Sequence, residues 1–290
     1  MNWGRLITAM VTPFDEDLNV DYEFAVVLAN RLVKEGSTAL VITGTTGEAP
    51  TLTDDEKVNL YKTVKTYVDV PVIAGVGTNN TALTIENAKA AQRAGVDGLL
   101  VVAPYYNKPD QDSLYYHFKE VAKSVDLPIM LYNVPGRTGC NILPETVVKL
   151  SKIDNIVALK EASGDIVQFA EIIKSVPKDF LIYSGDDSLL LPAMSIGTYG
   201  VVSVASHVVG PEMKEMIDAF VSKDTERAMD IHLELLDIFK DLFIIANPIP
   251  VKAALNLMGV NVGGLRLPLT KAREKVLNVL EKDLRELGKI

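Results

Sequence analysis

The stretch Gly95-Val-Asp-Gly98-Leu-Leu-Val-Val102 decides the fold, because it joins the end of a helix to the start of an apolar strand. Gly36-Ser-Thr-Ala39-Leu-Val and Gly197-Thr-Tyr-Gly200-Val-Val repeat the pattern. In each copy a glycine ends a helix, two residues turn, and a small residue begins a strand. The chain is therefore built by repeating one strand-and-helix unit.

Eight short apolar runs carry this repeat, and each is nearly continuous, as in a parallel sheet that is buried on both faces. They begin near Leu6, Ala39, Pro71, Gly98, Pro128, Ile156, Phe180 and Gly200. Segments of helical periodicity separate them, and one opens with Thr53-Asp-Asp-Glu56, a capping-box pattern. Eight such units predict an α/β fold, a (β/α)8 TIM barrel. A doubly wound open sheet is the alternative, and the lack of a GxGxxG motif after the first strand disfavours it.

The repeat ends near Ser222, and the remainder of the chain has helical periodicity only. We predict a catalytic (β/α)8 barrel over residues 1–222 and a C-terminal helical region over residues 223–290. Breaks at Asn247-Pro-Ile-Pro250 and Gly263-Gly264 divide the C-terminal part. Because no Ser/Gly-rich linker precedes it, we expect it to pack on the barrel.

Composition limits the classes of partner. The 290 residues are 48% hydrophobic and carry a net charge of −9, which excludes a disordered chain and argues against nucleic-acid and anionic-membrane binding. One cysteine excludes an intrachain disulfide framework and a multi-cysteine zinc site. No run reaches the roughly 18 apolar residues of a spanning helix, and no signal peptide is evident. We expect a cytoplasmic protein with neither metal nor cofactor.

Lys160 is the most informative polar residue, because it closes the apolar run Ile156-Val-Ala-Leu. Catalytic groups of such barrels lie at the C-terminal ends of the strands. A desolvated ammonium tends to lose its proton, and the neutral amine can form a Schiff base with a ketone. The alternative is a lysine whose stem is buried while its ammonium reaches water.

Four further strand-end features fit chemistry on a keto acid. No histidine lies in the strand-end motifs, so Tyr132 and Tyr106 are the candidate acid–base groups, with packing as the alternative. Thr45 and Thr46, flanked by glycines, can cradle a carboxylate or merely form a turn. Arg137 offers a planar fork for a second carboxylate, or is a surface arginine.

Asp186-Asp187 follows the seventh strand and could suggest a metal site. Because no histidine accompanies the pair, we instead expect it to cap a helix over Asp187–Ile196.

Three motifs contain these residues: Gly44-Thr-Thr-Gly-Glu48, Tyr132-Asn-Val-Pro-Gly-Arg-Thr-Gly139 and Val157-Ala-Leu-Lys-Glu-Ala162. Together they resemble the class I pyruvate-dependent aldolase/lyase superfamily, and within it the dihydrodipicolinate synthase family most closely. The resemblance covers essentially the whole chain, from Thr12-Pro13 through Asn247-Pro-Ile-Pro-Val-Lys252 to Leu265-Arg-Leu-Pro268.

The resemblance implies a lyase that condenses pyruvate with L-aspartate 4-semialdehyde, the first committed step of diaminopimelate and lysine biosynthesis. It implies that Lys160 forms the Schiff base and that Tyr132 transfers protons. Thr45 would link Tyr132 to Tyr106 of a neighbouring subunit in a homotetramer.

The resemblance also implies substrate-binding roles. Thr46, with Thr45, would bind the carboxylate of pyruvate, and Arg137 that of the semialdehyde. Gly185 and Val202 would line the pocket through backbone groups. N-acetylneuraminate lyase and 2-keto-3-deoxygluconate aldolase resemble this pattern without the arginine, so a sibling aldolase is one alternative. A catalytically silent barrel that binds a keto acid is another.

In lysine-inhibited relatives a feedback site matches Ala49, Asp54, Lys57, Asn79, Leu83 and Tyr105 of this chain. Lys57 stands where an inhibited enzyme often has histidine, and Leu83 where it has glutamate. A cation is added and a carboxylate for the lysine ammonium is lost. The resemblance therefore predicts a vestigial site with weak or absent lysine inhibition.

Overall fold

Eight parallel strands close into a barrel in a computed structural model that describes residues 3–290. The strands are β1 (Leu6–Ala9), β2 (Ala39–Ile42), β3 (Val72–Gly75), β4 (Gly98–Val102), β5 (Ile129–Asn133), β6 (Ile156–Glu161), β7 (Leu181–Ser184) and β8 (Gly200–Ser203). Each strand pairs with its neighbours in the chain, and β8 pairs with β1. The predicted (β/α)8 TIM barrel is confirmed.

Helices surround the barrel and continue beyond it. The helices of the strand–helix units are α1 (Tyr22–Lys34), α2 (Asp54–Tyr67), α3 (Thr81–Arg93), α4 (Gln111–Lys123), α5 (Pro135–Thr138), α6 (Pro144–Leu150), α7 (Ile166–Ser175), α8 (Leu190–Ser195) and α9 (Ser206–Val221). The later helices are α10 (Thr225–Glu234), α11 (Leu236–Asp241), α12 (Ile249–Leu257) and α13 (Glu274–Glu286). A 3₁₀ turn covers Ala49–Thr51.

The glycine repeat has the expected geometry. Gly36, Gly95 and Gly197 have φ angles of +111°, +86° and +111°, a conformation that side chains disfavour and that ends the preceding helix. At the start of β8 a side chain on Gly200 would overlap the carbonyl of Arg5. The repeat therefore needs glycine both for backbone conformation and for close strand approach.

Helix boundaries were predicted well where caps mark them. Thr53 and Glu56 form the predicted capping box of α2. In contrast, helical periodicity in the sequence predicts a helix over residues 211–222, whereas α9 begins at Ser206 with a turn that precedes a kink at Val209. Proline lacks an N–H and disturbs the turn before it, which explains why the pattern marked only the later part.

Successive side chains of each strand point alternately into the barrel and out toward the helices, and they form two separate cores. One set of side chains fills the barrel interior and includes Ile7, Val41, Met130 and Tyr183. The intervening side chains pack outward against the helices. Lys160 follows Ala158, an interior residue, by two positions, so its side chain also enters the barrel.

The chain after α9 packs against the rest of the molecule. Helix α10 packs on α9, α12 on α9 and α13, and α13 on α11. Residues 223–290, all of which are described, contain helices and loops but no strand. The division into a barrel and a helical region at residue 222 stays a prediction. Within residues 3–290, no helix combines the length and the apolar character needed to cross a bilayer.

Candidate active site

Lys160 lies inside the barrel near the end of β6. Strand register pairs it with Tyr132 on β5 and with Tyr183 on β7. The side chain is buried, and its Nζ lies 4.4 Å from the centroid of the Tyr132 ring. Burial lowers the pKa of Lys160 to about 8, while the negative charge of Asp187 opposes this shift. The amine is thus largely available in its neutral form at mildly basic pH.

Tyr132 is the acid–base candidate nearest to that amine. Burial raises the pKa of its phenol to about 12, partly offset by the positive charge of Arg137. The phenol therefore holds its proton at neutral pH and can donate it to an oxygen leaving the substrate. An ammonium that is easily deprotonated and a phenol that stays protonated complement each other in imine chemistry.

A cavity of about 360 Å³ opens at this end of the barrel. Six of the eight residues predicted to take part in catalysis or substrate binding line it: Thr45, Thr46, Tyr132, Arg137, Lys160 and Gly185. The fold explains why these residues lie together. The strands are parallel, so the C-terminal ends of β2, β5, β6 and β7 lie at one face of the barrel.

The threonine turn after β2 forms one wall of the cavity. Thr46 is buried, and its hydroxyl accepts a hydrogen bond of 2.9 Å from the amide nitrogen of Asn247. Thr45 is exposed to the cavity, and its carbonyl accepts the backbone N–H of Glu48 at 3.1 Å. The turn thus offers hydroxyl groups to a small anion while its backbone is held by internal hydrogen bonds.

Arg137 and Gly185 line the cavity from the segments after β5 and β7. Arg137 belongs to the short helix α5 and is exposed, so its guanidinium is free to reach a ligand. A Cβ on Gly185 would stand 2.8 Å from Cε of Lys160, so glycine there makes room for the lysine side chain. Val202 is buried in the barrel interior and does not line the cavity.

Tyr106 is the one proposed catalytic residue that the fold does not bring to this cavity. It is 87% exposed and has a φ angle of +74°, which is uncommon for a residue with a side chain. Its backbone N–H donates to the carbonyl of Thr138, so the loop carrying it is anchored beside α5. An aromatic side chain is thereby presented outward from the barrel mouth.

A second cavity of about 530 Å³ adjoins the first and shares Thr45, Tyr132 and Arg137 with it. It is also lined by five of the six residues of the regulatory prediction: Ala49, Asp54, Lys57, Leu83 and Tyr105. The sixth, Asn79, is outside the lining, and its carbonyl accepts a hydrogen bond from Asn107. Lys57 forms an ion pair of 3.3 Å with Asp54.

The expected capping role of Asp186-Asp187 is wrong. Helix α8 begins only at Leu190, after an N-cap at Leu189 that provides no side-chain bond. The carboxylate of Asp187 instead accepts the backbone N–H groups of Val204 and Ala205, at 3.1 and 2.9 Å. Those donors lie between β8 and α9, 17 and 18 residues away in the sequence, where a local capping rule does not look.

Sequence reasoning missed part of the cavity wall. Besides Asp186, which the sequence marked only as a metal or capping candidate, the additional polar and aromatic residues are Ser188, Phe239, Lys240, Phe243 and Asn247. Phe239, Lys240, Phe243 and Asn247 belong to the C-terminal helical region, which follows the last strand–helix unit. The motif Asn247-Pro-Ile-Pro-Val-Lys252 was a signal for this contribution, since it formed part of the family resemblance.

The sequence of the whole chain decides its family. A sequence model of the dihydrodipicolinate synthetase family matches residues 2–287. The chain belongs to this family. It is 54% identical over 290 residues to the 4-hydroxy-tetrahydrodipicolinate synthase of Heliobacterium modesticaldum, a match that covers 99% of this chain and 97% of that relative.

Solved structures of the dihydrodipicolinate synthase family share this architecture. The dihydrodipicolinate synthase of Bacillus anthracis is 50% identical, with a TM-score of 0.97 and 98% of each chain covered. The enzyme of Cyanidioschyzon merolae, solved with lysine bound, is 48% identical, with a TM-score of 0.98 and 99% of each chain covered. The family resemblance noted in the sequence is confirmed.

Proposed function

We propose that this chain condenses pyruvate with L-aspartate 4-semialdehyde, the activity of a 4-hydroxy-tetrahydrodipicolinate synthase and hence of a lyase of the class I aldolase type. The observation that carries the proposal is the buried amine of Lys160, which shares a cavity with Tyr132 and has a pKa of about 8. Two findings support this choice of reaction: the chain belongs to the family, and a relative named 4-hydroxy-tetrahydrodipicolinate synthase is 54% identical to it.

Lys160 begins the reaction as the nucleophile. Its neutral amine attacks the ketone carbon of pyruvate, the oxygen leaves as water after receiving two protons, and an iminium remains. Loss of a methyl proton then gives an enamine, whose carbon attacks the aldehyde of the second substrate. The amino group of that substrate closes the ring on the iminium carbon and releases Lys160.

Tyr132 moves protons in these steps. Its phenol donates to the oxygen that departs as water and later regains a proton, which suits a group with a pKa near 12 beside the amine. Thr45 would carry protons between Tyr132 and Tyr106 of the neighbouring subunit. The strongly exposed Tyr106 supports this arrangement, because it does not line the cavity of its own barrel.

The two carboxylates have separate sites in this proposal. Thr45 and Thr46 bind the carboxylate of pyruvate, and Arg137 binds that of the semialdehyde. Backbone groups of Gly185 complete the pocket, whereas Val202 supports it from the barrel interior without lining it. We further propose a homotetramer that works in the cytoplasm on these small molecules and takes no nucleic acid or membrane as partner.

Different residues distinguish the proposed reaction from each of the two alternatives. A sibling aldolase that cleaves N-acetylneuraminate or 2-keto-3-deoxygluconate would use Lys160 and Tyr132 equally well. Arg137, which lines the cavity, favours a carboxylate on the aldehyde substrate. A silent keto-acid-binding barrel has no need of a buried lysine beside a buried tyrosine.

Reductive trapping tests the proposal. Pyruvate and borohydride should add mass to the peptide that contains Lys160, and Lys160→Arg should remove the adduct. The chain should then turn over aspartate semialdehyde with pyruvate and leave N-acetylneuraminate and 2-keto-3-deoxygluconate intact. Absence of the adduct would refute covalent catalysis, whereas cleavage of a sugar acid would identify a sibling aldolase.

We also propose that lysine inhibits this enzyme weakly or not at all. Lys57 and Leu83 place a cation and an apolar group in the adjoining cavity, where a lysine ligand would need partners for its ammonium. Titration of activity with lysine should therefore show little inhibition. Exchange of Leu83 for glutamate should strengthen it, and strong inhibition of the unmodified protein would contradict the proposal.

A further inference from the structure

A buried ion pair lies behind the threonine turn. Nζ of Lys252, on α12, is 2.9 Å from Oε1 of Glu48, and each side chain is only 1% exposed. These residues are 204 positions apart in the sequence. Burial lowers the pKa of Lys252, and the charge of Glu48 opposes the shift. Neither residue lines the active-site cavity.

Further contacts fix the geometry of this pair. Lys252 also donates to the carbonyl of Thr12 at 2.9 Å, and its Nζ lies 4.2 Å from the centroid of the Phe14 ring. The second carboxylate oxygen of Glu48 accepts the backbone N–H of Arg266 at 3.1 Å. Both oxygens of Glu48 are therefore held by groups from the C-terminal part of the chain.

The backbone of Glu48 shows what this anchoring accomplishes. Glu48 has φ 54° and ψ 35°, a left-handed conformation that is unfavourable for residues other than glycine. Its N–H donates to the carbonyl of Thr45, and the next N–H, of Ala49, donates to Gly44. The unfavourable conformation of Glu48 is thus what closes the turn that carries Thr45 and Thr46.

Stability alone does not explain a pair of this kind. Two buried charges lose about as much free energy by leaving water as they gain from each other, so apolar replacements are often neutral. A buried pair does impose one geometry on the segments that it joins. Here those segments are helix α12 and the turn after β2.

We infer that Lys252 and Glu48 are positioning residues, which hold the Thr45–Thr46 turn in the shape that receives the carboxylate of pyruvate. This inference rests on the proposed function, since it assumes that the turn binds that carboxylate. It assigns to the C-terminal helical region a part in substrate binding that is separate from its contribution to the cavity wall.

The double variant Glu48→Gln/Lys252→Met tests the inference. It removes both charges together, which avoids leaving one buried charge without a partner. The pyruvate concentration that half-saturates reductive trapping at Lys160 should rise about tenfold, the equivalent of about 1.4 kcal/mol. Trapping with acetone, a ketone without a carboxylate, should keep its concentration dependence, because the lysine itself is undisturbed.

Leu255→Ala provides a matched control in the same helix. Leu255 is fully buried, so the variant loses stability without altering the pair. It should leave the concentration dependence with pyruvate unchanged. The inference is overturned if Leu255→Ala raises the half-saturating pyruvate concentration as much as the double variant does. It is also overturned if the double variant raises the half-saturating concentrations of pyruvate and acetone equally, or raises neither.

A second variant covers the case in which Glu48→Gln/Lys252→Met does not fold. Glu48→Gln/Lys252→Gln also removes both buried charges, but it keeps a hydrogen-bonding group at each of the two positions. It should raise the half-saturating pyruvate concentration by a smaller factor, again without affecting acetone, and an unchanged value would overturn the inference. If the unmodified protein gives no adduct with pyruvate, the proposed function itself fails, which distinguishes the two outcomes.

Discussion

Burial inside the barrel lowers the pKa of Lys160 to about 8 from an ordinary value of 10.5. Only the neutral amine attacks a ketone, so the rate of trapping with pyruvate should rise with pH, with a midpoint near 8, and level off above it. Initial trapping rates measured across pH 6 to 10, sampled in roughly half-unit steps, would check this expectation.

Asp187→Asn supplies a directional control for that profile. The negative charge of Asp187 favours the ammonium form of Lys160, so its removal should lower the pKa of the lysine further. The midpoint should then move to lower pH. A midpoint near 10.5 in the unmodified protein, or a shift to higher pH in the variant, would contradict the account.

Arg137 is the single residue proposed to bind the carboxylate of the second substrate, aspartate semialdehyde. Arg137→Ala should reduce kcat/KM for aspartate semialdehyde by about a hundredfold, a loss of about 3 kcal/mol for a charged hydrogen-bonded contact. Trapping of Lys160 by pyruvate should change much less. Steady-state kinetics and trapping on the same preparation separate the two effects, and equal losses in both would place Arg137 in the pyruvate site instead.

At the scale of elements, the glycine that begins β8 allows this strand to lie close to β1 and so allows the barrel to close. A methyl group at Gly200 would overlap the carbonyl of Arg5, at the contact between β8 and β1. Gly200→Ala should lower the free energy of unfolding by about 3 kcal/mol or more, measured by denaturant titration. Gly136→Ala, where nothing lies within 4 Å of the added carbon, should change it by less than about 1 kcal/mol.

At the scale of the whole molecule, the proposed site needs Tyr106 from a neighbouring subunit. If so, mixing and reassociating inactive Lys160→Arg with impaired Tyr106→Phe protein should regain activity, because the first supplies Tyr106 to barrels of the second. Mixing Lys160→Arg with Tyr132→Phe should not, since both residues line one cavity. Equal recovery in the two mixtures, or none in either, would contradict a shared site.

Strand positions, helix caps and several site residues follow from local pattern. The eight apolar runs predict the barrel because few folds accommodate eight strands that alternate with helices. Lys160 is notable because it follows one of these runs directly. The candidate roles of Thr45, Tyr132 and Arg137 follow from their places at or just after strand ends. The role of Asp187 does not follow, because its hydrogen-bond donors lie in the segment after β8.

The amino-acid sequence by itself determined the barrel, the family resemblance and the residues that carry the proposed chemistry, because periodicity and motifs are local properties of the chain. Only the tertiary structure decided which groups share a cavity, how far burial lowers the pKa of Lys160, and that Lys252 anchors Glu48 from 204 positions away. Desolvation and long-range ion pairing depend on what surrounds a group in space. Spacing along the chain does not encode those surroundings directly.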